Sequence, residues 1–84
     1  LIVALSPNPI SRPGQMQLKF NADKAGEMDV SVYNNSGQLV LRTGMAAFYG
    51  LNSGHLYVCD LNKGTYNIIF RLAGKKEVKK VVVL

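Results

Sequence analysis

The side chains able to do chemistry in this chain are few and poorly spaced for it. There is one His, His55, one Cys, Cys59, and five carboxylates, Asp23, Glu27, Asp29, Asp60 and Glu77. His55 and Cys59 fall within one predicted strand, on the same face but about 13 Å apart at about 3.3 Å per residue, too far for a thiolate–imidazole dyad. A zinc site needs more His or Cys ligands than the chain holds. A calcium loop needs a dense run of acids with a glycine, and Asn34-Asn35-Ser36-Gly37 lacks the acids. The residues therefore predict neither catalysis nor a metal or other cofactor, with His55 an ordinary surface or turn residue and Cys59 a small packing residue.

A second kind of chemistry would be phosphate binding by Lys75, Lys76, Lys79 and Lys80, which dominate the last ten residues of a chain with net charge +5. Nucleic-acid recognition by a small β-domain also needs aromatic side chains interleaved with the basic ones. Here Tyr66 and Phe70 share the face of Ile68, which predicts core, and no stacking platform results. The lysines read as solvated guards of an edge strand, with nucleic-acid binding no more than weak and salt-labile. Lys79 and Lys80 are expected to reach solvent, so that replacing them would shift stability by about 0.5 kcal/mol at most.

Strands must position these groups, because period-two alternation runs along the chain and no segment sustains a helical period. Met16, Leu18 and Phe20 alternate with Gln15, Gln17 and Lys19, and Met28, Val30 and Val32 with Asp29 and Ser31. Strands are predicted at Leu1 to Leu5, Gln15 to Phe20, Glu27 to Tyr33, Gln38 to Thr43, Leu56 to Asp60, Thr65 to Leu72 and Val78 to Val83. Asn34 to Gly37 is expected to turn through the positive φ that Asn and Gly tolerate, and Ala73-Gly74-Lys75-Lys76 is expected to form a basic hairpin. Ser6-Pro7-Asn8-Pro9 must end the first strand, since two prolines remove two backbone donors. The irregular stretch Gly44 to Gly54 predicts a crossover loop.

Seven short strands in 84 residues suit an all-β, immunoglobulin-like antiparallel sandwich with Leu18, Phe20, Val30, Val32, Ile68 and Phe70 in its core. One domain, residues 1–84, is expected, burying only about 60–65% of its unfolded surface. The chain begins Leu1-Ile2-Val3 without Met, which suggests a piece of a larger secreted protein. Leu1 to Leu5 is too short to span a bilayer and lacks the basic flank of a signal peptide, so direct membrane insertion is not expected. The run Val81-Val82-Val83-Leu84 loads both faces of the last strand. Its outer face must be covered by the crossover loop or be meant for a partner.

Four segments in this order and spacing resemble the C-terminal sorting domain of the type IX secretion system. They are Ser6-Pro7-Asn8-Pro9, the stretch Gly26 to Val40, Leu61-Asn62-Lys63-Gly64-Thr65-Tyr66, and Gly74-Lys75-Lys76 followed by Lys79-Lys80-Val81-Val82. The resemblance covers nearly the whole chain and implies a non-catalytic secretion signal. It also implies a route, with the parent protein reaching the periplasm and then being directed across the outer membrane to the cell surface or medium. The implied partners are the outer-membrane translocon, a surface sortase that removes the domain, and the upstream cargo of the same chain. By the same resemblance, the sorting-motif candidates are Pro7, Asn8, Pro9, Gly37, Gly64, Tyr66, Gly74, Lys75, Lys79, Lys80, Val81, Val82, Val83 and Leu84. The alternative is an accessory or adhesive β-sandwich module of an extracellular enzyme.

Overall fold

The computed structural model describes residues 2–6, 14–58 and 61–84. The predicted alternation becomes seven strands: β1 (Ile2–Ser6), β2 (Gln15–Ala22), β3 (Gly26–Tyr33), β4 (Leu39–Ala47), β5 (Gly50–Tyr57), β6 (Gly64–Leu72) and β7 (Lys75–Val83). There is no helix among the described residues. Every pairing is antiparallel, in a three-stranded sheet ordered β1-β2-β5 and a four-stranded sheet ordered β4-β3-β6-β7. This is the expected all-β immunoglobulin-like sandwich.

Alternation decides which side chains fill the space between the sheets. Successive residues of a strand point to opposite faces, and β2 buries every second residue from Met16 to Ala22 while exposing those between. Leu18, Phe20, Val30, Val32, Ile68 and Phe70 are all buried as expected, joined by Met16, Met28, Leu56, Tyr66, Val81 and Val83. Each sheet hides one hydrophobic face against the other, which is the main gain available to so small a chain.

The expectation for Gly44 to Gly54 is corrected. That stretch is no crossover loop: β4 continues to Ala47, and β5 runs from Gly50 to Tyr57 where a strand at Leu56 to Asp60 was expected. Only Phe48 and Tyr49 lie between them, at a corner where the chain leaves one sheet for the other. Asn52 makes so tight a corner possible. Its side chain accepts a hydrogen bond from the Phe48 N–H (2.9 Å) and donates to the carbonyls of Phe48 (2.8 Å) and Gly50 (3.0 Å), satisfying backbone groups that the change of sheet leaves unpaired. Residues 7–9, Cys59 and Asp60 lie outside the described residues, so the proline bend and the cysteine's surroundings do too.

The two hairpins of the four-stranded sheet are built differently. In the β3–β4 turn only Gly37 has positive φ (84°), and the asparagines do not supply it as expected. Asn34 works through its side chain instead, its Oδ1 accepting from the N–H groups of Ser36 (3.0 Å) and Gln38 (2.9 Å). The β6–β7 turn has two residues, Ala73 (φ 50°) and Gly74 (φ 78°), both left-handed, as the type I′ hairpin requires.

The terminal strand as candidate functional site

The candidate site is β7 with the turns at its two ends. β7 pairs with β6 from Leu72↔Lys75 to Gly64↔Val83, so Lys75 and Lys76 belong to the strand and not to the turn. Period two sends Glu77, Lys79, Val81 and Val83 toward the other sheet and Lys76, Val78, Lys80 and Val82 away from it. Val81 and Val83 are buried with Tyr66 and Ile68 in the core. The inward positions nearer the hairpin hold Glu77 and Lys79, each half-buried at the rim.

Lys80 is exposed, and Lys79 is half-buried, so Lys79 reaches solvent less fully than Lys80. A lysine directed inward on an edge strand keeps its ammonium at the rim by extending its aliphatic stem over apolar surface. Removing it costs packing as well as charge.

The outer face of β7 is not covered in the way first considered. Gly44 to Gly54 contributes to β4 and β5, whereas β7 is at the opposite edge of the four-stranded sheet from β4. Val78 and Leu84 stand 49% and 62% exposed, while Val82 is half-buried. Lys80 and Val82 both have interaction partners.

The motif candidates do not gather at one point. Gly74 and Lys75 occupy one end of β7, and Gly64, Tyr66, Val83 and Leu84 the other. The separation is about 27 Å at about 3.3 Å per residue, close to the full 34 Å length of the molecule. Gly37 lies toward the Tyr66 end, because β3 runs to its hairpin past the Tyr33↔Asn67 pair. Pro7, Asn8 and Pro9 are outside the described residues.

At the hairpin end, the Lys75 ammonium pairs with the Asp23 carboxylate, tying β7 to the β2–β3 connection. Hydrogen bonding to Lys75, reinforced by its charge, holds the Asp23 carboxyl below its ordinary range. At the far end the buried Tyr66 donates its hydroxyl hydrogen to the Asn62 carbonyl at 2.7 Å, anchoring the chain as it enters β6. A cavity of about 230 Å³ opens beside it, lined by Asn34, Val40, Leu41, Tyr57, Val58, Leu61, Asn62 and Tyr66.

Asp23 escaped the sequence reading because it is 52 residues from Lys75 and nothing local marks the pair. Asn34 belongs to a turn seen in the sequence, but its role as a side-chain acceptor depends on the loop's final geometry. Across the described residues, no group of three His, Cys, Asp or Glu side chains is placed to hold a metal ion. His55 is exposed on the outer face of β5, opposite Gln17. What the arrangement presents is a strand: buried valines that fix it to the core and an outward row of lysine and apolar side chains.

Comparison with known proteins places the chain among secreted modules. The sequence pattern of the family described as secretion system C-terminal sorting domain matches residues 4–84. No curated protein gives a significant match.

Proposed function

The chain belongs to the secretion system C-terminal sorting domain family, a type IX sorting signal, and on that premise we propose that β7 is the address by which a larger cargo protein is exported. In this proposal the cargo enters the periplasm, the folded sandwich engages the outer-membrane translocon through β7, and a surface sortase then removes the domain. The cargo ends on the cell surface or in the medium. The domain itself carries out no reaction.

The observation that carries the reading is the family match over residues 4–84 together with the split character of β7. Val81 and Val83 belong to the core, whereas Val78, Lys80 and Leu84 face outward, so one strand can complete the fold and still offer side chains to a receptor. Extended strands are read in this way in other systems, with backbone pairing giving affinity and alternate side chains giving specificity.

The test is a reporter bearing a signal peptide and fused to this chain, expressed in a host with a type IX system. Export is expected for the native sequence. Deleting Lys79 to Leu84 also removes the buried Val81 and Val83 and would confound recognition with unfolding. The informative variant is Lys80→Gln combined with Leu84→Ser, at two outward positions. Export lost at an unchanged melting temperature supports the proposal. Full export of this variant and of the deletion overturns it.

A further inference from the structure

We propose that β4 is a self-complementary edge through which two copies of this chain pair antiparallel about Thr43, joining their four-stranded sheets into one. The proposal concerns a different edge from β7 and does not depend on the export reading.

β4 is the outermost strand of its sheet and pairs with β3 alone. It is nine residues long, Leu39–Ala47, and its single charge, Arg42, is already engaged by Asp29 (Nε to Oδ1, 3.0 Å). Sheet edges are normally blunted by shortness, by lysine, by proline or by inward-pointing charge. β1 is only five residues long, and β7 carries four lysines with Glu77 and Lys79 turned inward. β4 has none of these guards, and neither has β5, the remaining edge, whose eight residues hold no lysine, proline or acid; the β3–β4 ladder shifts register between Val32 and Tyr33, at the end of β4 away from Met45. Leu39 and Val40 stand 50% and 42% exposed along it.

The argument for a second copy as the occupant lies in the register. Pairing Thr43 with its own symmetry mate sets Leu41 opposite Met45 and Arg42 opposite Gly44, twice over. The core-facing row then sets Leu41 against the partner's Met45 on either side of a central Thr43 pair: Leu41 and Met45 are already half-buried against the core, and the partner's side chains would extend that row over the groove between β4 and β5. The outward row is complementary in charge and shape. Gly44 leaves an open place on the strand, and the Glu27 carboxylate leans over it, its Oε1 only 2.5 Å from where a Cβ would be. Among the described residues Glu27 has no ion-pair partner. The arginine arriving opposite Gly44 is held by its own Asp29 through Nε alone, so its terminal amino groups can turn to that carboxylate, and a two-fold axis makes the contact twice. A register centred on Arg42 would instead set the two arginines against each other.

Thr43 is exposed and would face its own copy across the axis, so the register can be tested at one position. Sedimentation equilibrium of the purified chain is expected to show reversible dimerisation. Thr43→Lys and Thr43→Glu, each alone, are expected to weaken it by about tenfold or more through like-charge opposition, while an equimolar mixture forms the heterodimer. Thermal melts check that both variants fold. Hydrogen exchange on the native chain is an independent measure, with protection of alternate β4 amides rising as concentration rises. A native chain that stays monomeric to about 1 mM, roughly the weakest affinity of interest here, overturns the proposal. So does a mixture no better associated than its components, or exchange at β4 that is indifferent to concentration.

Discussion

The Tyr66 hydroxyl lies 2.7 Å from the Asn62 carbonyl oxygen and donates to it, a hydrogen bond spanning the point where the chain passes from the three-stranded sheet into β6. The ring of Tyr66 is buried while its tip reaches the crossing, so one residue serves the core and the connection together. Immunoglobulin-like sandwiches use a tyrosine near the start of the corresponding strand in the same manner.

Tyr66→Phe should preserve the packing and remove the bond. A part-buried carbonyl that loses its donor costs about 1–2 kcal/mol, and for a chain of this length each kcal/mol lowers the melting temperature by about 4–8 °C. Urea unfolding is expected to show a lower midpoint with an unchanged slope. An unaltered midpoint would mean that the hydroxyl contributes nothing to stability.

Ala73 occupies a left-handed conformation, φ 50°, that a residue with a Cβ adopts at a cost, and Gly74 follows at φ 78°. Asn-Gly is the preferred pair for this turn. Ala73→Asn should therefore stabilise the chain by about 0.5–1 kcal/mol, whereas Gly74→Ala, in open space but at positive φ, should destabilise it by about 1–2 kcal/mol. Thermal denaturation of the two variants should move in opposite directions.

Asp23 pairs with Lys75 at the hairpin, and its carboxyl is held below the ordinary range by that hydrogen bond and charge. A carboxyl lowered on folding contributes stability that is present above its unfolded pKa and fades as pH falls through its folded pKa. Both groups are largely exposed, so the effect on unfolding should be small and should shrink further in salt. The direct check is a carbon-detected NMR titration. Asp23 should titrate below the usual carboxylate range in the native chain and move up to it in Lys75→Ala; coincident titrations would show that the pair does not form in solution.

Much of the fold was legible because alternation survives wherever inward positions hold large apolar residues. Met16, Leu18 and Phe20, then Met28, Val30 and Val32, mark β2 and β3 without ambiguity, and the Ala73-Gly74 turn marks the β6–β7 hairpin. The same signal fails at β4 and β5 for a local reason. Asn52 is a polar residue at an inward position, and Gly44 and Gly54 carry no side chain at all, so the end of β4 and the first part of β5 read as a loop. Asn52 faces inward without loss because it satisfies the corner that separates those strands, a role that exists only once both are in place.

The sequence by itself determined that this is an all-β chain, that Leu18, Phe20, Val30, Val32, Ile68 and Phe70 lie in its core, and that segments along nearly its whole length resemble a sorting domain. Those properties are local in the chain or carried by residue order, and a period of two needs no knowledge of neighbours. Only the tertiary structure decided that Lys79 turns inward while Lys80 faces out, that Lys75 meets Asp23, and that β4 and β7 lie at opposite edges of one sheet. Each of these depends on strand pairing between residues distant in sequence. Period two separates two faces, but it cannot say which strand lies beside which, nor which edge is left open.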